Sequence, residues 1–346
     1  MLSLCLLPLL APLQDATEPV RFERTAFVMG TSLIMEVTAE NEEKALAASE
    51  SALRAVEAVE ARLSTWREDS ELSKLNRAPV GKPTPISAEL FKDLTFAHVA
   101  WSETAGAFDA GLGCLVEAWG LREGGRQPSP EAIELCTSKG GQRALDFVEG
   151  SATRRTAECR IEEGGFGKGG GLDAAIDALR VAGVREATLD LGGQVATLGK
   201  TEKRFALAHP RDRERALLSY TLPSGSCATS GNSERGIVVD GKRLGHLLDP
   251  RTGAPAPDFG SMSVVHDRAW IADAFSTGLF VLGPERALQF GNQTDGFDVI
   301  VIEVAEEGAL RVRASVGLKG RLRAEEDGLA IEYSRPAQPT QRATDR

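Results

Sequence analysis

Apolar residues return every three or four positions between residues 45 and 63, at Ala45, Ala48, Ala52, Val56, Val59 and Leu63. That spacing sets them on one stripe of an α-helix. Asn41 stands just ahead, and its side-chain oxygen can accept from a first-turn amide, so the helix is predicted to be capped there. A second stripe, Leu90, Phe91, Leu94, Ala97 and Trp101, follows Ser87 and closes at Gly106, since glycine tolerates the left-handed turn that ends many helices. A third helix is predicted from Lys168 through Leu172, Ala175, Ile176 and Leu179 to Gly183. The pattern then switches to the alternation of a strand over 187–191, closed by Gly192 and Gly193. The segment 123–130, EGGRQPSP, reads as a surface loop or subdomain junction. A last helix is predicted over 270–282, followed by strand-like pieces and a polar tail at 336–346 that reads as disordered. Long helices mixed with strands that do not alternate with them point to an α+β fold rather than a doubly wound one.

The composition is that of a globular chain: 346 residues, 42% hydrophobic and 26% charged, enough for one large core or two modest ones. Net charge is −10, and no basic stripe offers itself to nucleic-acid phosphates. Residues 1–13 form an apolar run, shorter than the roughly 20 residues a spanning helix needs. The run lacks a Lys or Arg n-region, and Gln14, Asp15 and Ala16 match small-residue cleavage poorly. Residues 1–18 are read as a removed signal or targeting segment, or as a misassigned start, with a buried N-terminal strand as the alternative. The five cysteines show no CxxC or Cys/His ligand spacing, which argues against zinc. If Cys5 leaves with the signal, Cys136 and Cys159 are a candidate pair in an oxidising compartment, against simple buried thiols.

Chemistry is suggested at three places. In the 270–282 segment, Ile271, Ala274, Phe275, Gly278, Leu279 and Leu282 fill one side, and Trp270, Phe280 and Val281 carry apolar surface nearly all round, so the helix is expected to be buried. Asp273 and Thr277 share a face one turn apart. A buried carboxylate needs a charge, a donor or a metal. Two hard oxygens in this arrangement suit magnesium sharing its shell with substrate phosphates; an Asp satisfied by an arginine or a helix N-terminus is the alternative. The glycine-rich stretch 164–173, GGFGKGGGLD, opens a helix where backbone amides and the dipole can receive a phosphate. It is neither a P-loop nor a GxGxxG, and a merely flexible loop is the competing reading. In 245–253, GHLLDPRTG, His246 lies in a turn beside Asp249 and Arg251, a candidate for proton transfer or phosphate contact.

Several separated segments together resemble the ApbE family of FAD:protein FMN transferases. Met29, Gly30 and Thr31 look like its MGT, 63–76 (LSTWREDSELSKLN) like LSxYxxxSEISxLN, and 106–120 (GAFDAGLGCLVEAWG) like GxFDxTVGPLVxxWG. The stretch 161–173 resembles IDLGGIAKGYAVD, and 189–193 the strand and Gly-Gly turn that follow it. His209 and Pro210 fit a short HP motif, 228–235 (ATSGNSER) fits ATSGxYER, 246–253 fits HIIDPRTG, and 263–283 resembles SVTVxxxxAxxADALATALFVLG.

The resemblance implies an α+β, T-fold-like domain over 19–335, with mixed sheets, packed helices and an FAD cleft between two subdomains. It implies that Asp273, Thr277 and the carbonyl of Gly167 hold magnesium. It also implies that Met29, Thr65, Trp66, Arg67, Asp109, Gly170 and Leu247 contact FAD, with Trp66 in place of the usual tyrosine. His246 falls on the family's functionally important histidine, and His246 or a nearby acid such as Asp249 is expected to assist proton removal. The implied reaction moves FMN from FAD to a Thr or Ser hydroxyl and releases AMP. The implied acceptor is a flavoprotein subunit of a sodium-pumping or electron-transport redox complex, modified at a small Ser/Thr-Gly-Ala-Thr-like motif. A periplasmic or otherwise exported, or membrane-associated, location goes with it. Departures from the family pattern are Ala110 with Gly111, Gly170 for Tyr, Gln194 for the Asp after Gly-Gly, and Asn232 with Ser233 where a pair with Tyr is usual. They bear on the FAD pocket and leave the implied metal ligands untouched. An FAD diphosphatase using water at the same site, and a non-catalytic flavin-binding protein, are the competing readings.

Overall fold

The computed structural model describes residues 18–232, 236–239 and 241–334. The predicted leader apart from Glu18, the 336–346 tail, Cys5, and Ser233 with the end of the 228–235 motif lie outside the described residues.

The predicted helices form where their stripes placed them. Helix α1 spans Glu42–Leu63, and Asn41 Oδ1 accepts from the Lys44 amide at 2.9 Å. Helices α2 (Glu71–Arg77) and α3 (Ala88–Glu103) follow, the latter capped by Ser87 Oγ, which accepts from Leu90 N at 3.1 Å. Next come α4 (Gly113–Ala118), α5 (Pro130–Lys139), α6 (Gly167–Val181), α7 (Ala269–Leu282) and α8 (Pro284–Gln293). Two readings need correction. The end of the 123–130 loop is a helix start, because Ser129 Oγ caps the Ala132 amide at 3.2 Å and Pro130 is preset for the first turn. Helix α7 is not the last: Gly283, at φ +86°, turns the chain directly into α8, whose buried residues are only Ala287, Leu288 and Gly291.

Among the described residues nine strands form one sheet in the order Val20–Val28, Thr31–Ala39, Glu186–Leu191, Gln194–Leu198, Gly225–Gly231, Gly260–His266, Asp298–Val304, Leu310–Ser315 and Ile331–Ser334. Neighbours are antiparallel except the last pair. One face carries α1, α6 and α7, with Leu33, Met35 and Val37 packed against Val56, Leu172 and Leu179. The opposite face, at Val195, Cys227, Ile300 and Ile302, is covered by a three-stranded sheet of Lys203–His209, Asp212–Leu222 and Leu322–Ala324 through Leu207, Leu218 and Tyr220. Strands covered on both faces lose the in-out alternation that marks a half-exposed strand. Helix α7 lies in the main core, with Trp270 and Phe280 nearly water-free, each such side chain contributing roughly 2–3 kcal/mol by burial. No helix among the described residues is long and apolar enough to cross a membrane.

The cysteine expectation is also corrected. Cys136 bonds Cys114, not Cys159, because α4 and α5 pack side by side with the two Cα atoms 5.4 Å apart, inside bridging range. Cys159 and Cys227 are buried free thiols, and desolvation pushes both up to about 12.

Candidate active site

A cleft of about 450 Å³ opens between the Lys203–Leu222 hairpin region, the ends of the central strands, the start of α6 and the inner face of α7. Met29, Lys168, Ser230, His246, Leu247, Asp273 and Thr277 all line it. Met29 reaches it from a tight turn between the first two strands, where Val28 pairs with Thr31 and both Met29 and Gly30 have positive φ, +53° and +70°. Two such residues are what a type I′ hairpin demands, and a methionine held there is strained by its neighbours. Its amide donates to Glu60 Oε1 at 2.9 Å.

Asp273 is 5% exposed. Its Oδ2 accepts from the Gly169 amide at 3.0 Å, and its Oδ1 lies 3.8 Å from Lys168 Nζ. One turn on, Thr277 Oγ1 is 3.3 Å from Ser230 Oγ, which is 2.8 Å from Ser276 Oγ. A carboxylate is therefore set deep in the cleft beside a row of hydroxyls and one ammonium group. The helix contact explains how it gets there. A Cβ on Gly169 would sit 2.3 Å from the Ala269 carbonyl oxygen, so α6 and α7 meet backbone to backbone only because that residue is glycine. Asp173 of α6 then caps α7 from outside its own sequence, accepting from Ala269 N at 2.8 Å, Trp270 N at 3.2 Å and Arg268 Nε at 3.0 Å.

The phosphate cradle expected at the start of α6 is partly closed by these contacts. The Gly167 amide donates to the Glu163 carbonyl at 2.7 Å and the Gly169 amide to Asp273, so from this segment it is Lys168 that offers positive charge to the cleft, which Arg213 also lines. Lys168 was legible as the one cation of GGFGKGGGLD. Ser230 was not, since nothing in its strand says which helix residue it faces.

The sequence profile of the ApbE family matches residues 29–301. The chain belongs to the ApbE family. The FAD:protein FMN transferase of Klebsiella pneumoniae is 29% identical over 318 residues, 87% of this chain and 91% of that protein. That of Haemophilus influenzae is 31% identical over 252 residues, 68% of this chain and 73% of the relative. Among solved structures, the ApbE protein of Thermotoga maritima superposes with a TM-score of 0.78 at 30% identity, covering 88% of this chain and all of that one. The α+β fold is thus the ApbE fold.

The remaining residues implied by the ApbE resemblance are spread more widely. Gly167 does not line the cleft; a Cβ there would meet Glu163 Cγ at 3.2 Å and Met29 Cε at 3.4 Å, whereas one on Gly165 would lie 3.4 Å from Thr277 Oγ1. Gly170 is buried beneath Trp270 and Val59, on the inward side of α6. Thr65, Trp66 and Arg67 do not line the cleft: Thr65 is tied to Glu163, its amide at 3.1 Å and its hydroxyl at 2.6 Å, while Trp66 is exposed and Arg67 pairs with Asp69 at 3.0 Å. Asp249 is turned away from the cleft: its carboxylate accepts from the Arg251 amide at 2.9 Å and from the Arg251 guanidinium twice at 2.8 Å. It shapes the DPRTG turn, so of the two proton-transfer candidates His246 alone stands on the cleft wall. Asp109 lines a separate cavity of about 300 Å³ together with Cys114, Cys136, Arg143 and Arg251. Its Oδ1 accepts from Gly111 N at 2.7 Å and Gln142 N at 2.8 Å, yet desolvation dominates and raises its carboxyl to about 6.

Proposed function

We propose that this protein is an FAD:protein FMN transferase that works with magnesium, moves FMN from FAD to a Thr or Ser hydroxyl of a partner flavoprotein, and releases AMP. The observation that carries the reading is the buried Asp273 carboxylate one turn from Thr277, both facing a cleft large enough for part of a dinucleotide. One anionic oxygen with neutral hydroxyl oxygens is a donor set for a small hard cation that keeps waters and takes substrate phosphate oxygens, so Asp273 and Thr277 would hold magnesium, with carbonyls of the adjacent glycine-rich segment. When bound, the ion neutralises diphosphate charge.

The chain's own groups do the rest. Lys168 Nζ, beside Asp273, offers a second positive charge to the diphosphate. The acceptor hydroxyl oxygen forms a bond to the FMN phosphorus as the bond from that phosphorus to the AMP oxygen breaks, AMP leaving with the electron pair. His246, on the cleft wall, takes the hydroxyl proton. The Cys114–Cys136 bond supports an oxidising, exported compartment, in keeping with an acceptor in an exported redox complex.

The test is to incubate the protein with FAD, magnesium and an acceptor domain bearing a Ser/Thr-Gly-Ala-Thr-like motif, then weigh the acceptor. A mass gain equal to covalent FMN that vanishes with chelator is expected. Free FMN and AMP beside an unmodified acceptor, repeated with a second acceptor domain, would replace transfer by hydrolysis.

A further inference from the structure

Trp66 follows Thr65, which is hydrogen-bonded to Glu163 next to the cleft-lining Gly164, and is 70% exposed, an unusual place to leave an indole. The Arg122 guanidinium lies over that ring, 4.5 Å from its centroid. It is held there: Nη2 donates to Thr65 Oγ1 at 2.5 Å and to Glu162 Oε2, and Nη1 to the Thr65 carbonyl at 3.3 Å. Thr65 is itself anchored to Glu163, whose neighbour Gly164 lines the cleft. Glu162 is mostly covered, with its side chain 19% exposed against 31% for Arg122, so water and salt screen the pair less than an ordinary surface bridge. A planar cation pinned by a carboxylate and a hydroxyl thus fixes the plane of an exposed aromatic ring beside the substrate cleft.

We infer that Arg122 is a positioning residue for the flavin, acting through Trp66: it clamps one face of the indole so that the other is presented, already oriented, to the isoalloxazine ring of FAD. The inference rests on the proposed reading that FAD is the substrate. An oxidised isoalloxazine is a flat, electron-poor ring, and an indole held in one plane stacks on it without first losing rotamer freedom. The segment that supplies Arg122 is the turn after α4, just past the 106–120 motif.

The test is a double-mutant cycle on FAD affinity, read by quenching of flavin fluorescence with chelator present so that no turnover intervenes. Arg122→Ala is expected to weaken FAD binding by about three- to tenfold and to reduce quenching, the range of one partly exposed cation–π contact. In steady state the KM for FAD rises and kcat is unchanged. In a Trp66→Ala background the same substitution adds nothing, because its effect passes through the indole. Arg122→Lys restores less than half of the loss, since an ammonium lacks the planar fork. An undiminished affinity in Arg122→Ala, or an equal loss with and without Trp66, overturns the inference. Should the unaltered protein bind no FAD at all, the proposed function fails, and the clamp is then judged on Trp66 alone. Its fluorescence, isolated by difference against Trp66→Phe, becomes more accessible to acrylamide in Arg122→Ala; unchanged accessibility refutes the clamp. Thermal melts of each variant separate these effects from unfolding.

Discussion

Asp109→Asn should remove a specific pH dependence from the stability of the fold. Asp109 is 7% exposed, and its carboxyl is raised from 3.8 to about 6 because burial outweighs the two backbone donors. The rise is about 2 units, and at roughly 1.4 kcal/mol per unit the ionised form costs about 3 kcal/mol relative to the unfolded chain. Below about pH 4 both states hold the proton and nothing is lost. Between about pH 4 and 6 the unfolded chain releases its proton while the folded chain keeps it, so stability falls. Above about pH 6 the full penalty stands. Asparagine keeps an acceptor for the Gly111 and Gln142 amides but carries no charge to desolvate. Urea unfolding followed from pH 4.5 to 8 should therefore show the variant gaining on the parent as pH rises, by about 3 kcal/mol at the upper end. Other groups titrate in this window, but they are common to both proteins and cancel in the difference. Parallel curves for parent and variant across the whole range would show that Asp109 ionises normally and that the burial argument is wrong.

Asp273→Ala deletes the buried cleft carboxylate and should lower magnesium-dependent AMP release by on the order of a hundredfold or more, measured with saturating FAD; unchanged metal dependence would remove Asp273 from the metal site. Replacing Cys114 and Cys136 together by serine opens a 22-residue closure and should cost about 3 kcal/mol in denaturant unfolding without altering the rate of FMN transfer, because the bond lines the second cavity and not the cleft. A rate loss of tenfold in a fully folded serine variant would tie the two cavities together.

Much of the helical layer was legible. The cap at Asn41 was readable because a cap is a local device, one side chain reaching an amide three residues on. The pairing of Asp273 with Thr277 was readable for the same reason, since helical spacing alone puts them on one face. Less legible was α8, whose buried positions are a single turn of small and medium residues. The strands buried on both sides, such as Gly260–His266, carry no alternation to read.

What the sequence by itself determined, then, is which residues lie on a common helical face, where helices begin, and, through motifs matching in order from residue 29 onward, membership of the ApbE family. What only the tertiary structure decided is partnership across long separations. Gly169 was visible as a glycine, but only the packing of α6 on α7 reveals that a Cβ there would strike the Ala269 carbonyl. Asp173 reads as a helical acid until it is found capping a helix 96 residues away. Asp249 and His246 are near neighbours in sequence, yet the turn hands one to Arg251 and the other to the cleft. Cys136 had Cys114, Cys159 and Cys227 to choose from beyond Cys5, and helix packing chose Cys114. Local geometry repeats with a fixed period and so can be read along a chain; contacts between distant segments depend on how whole surfaces fit, and no period encodes that.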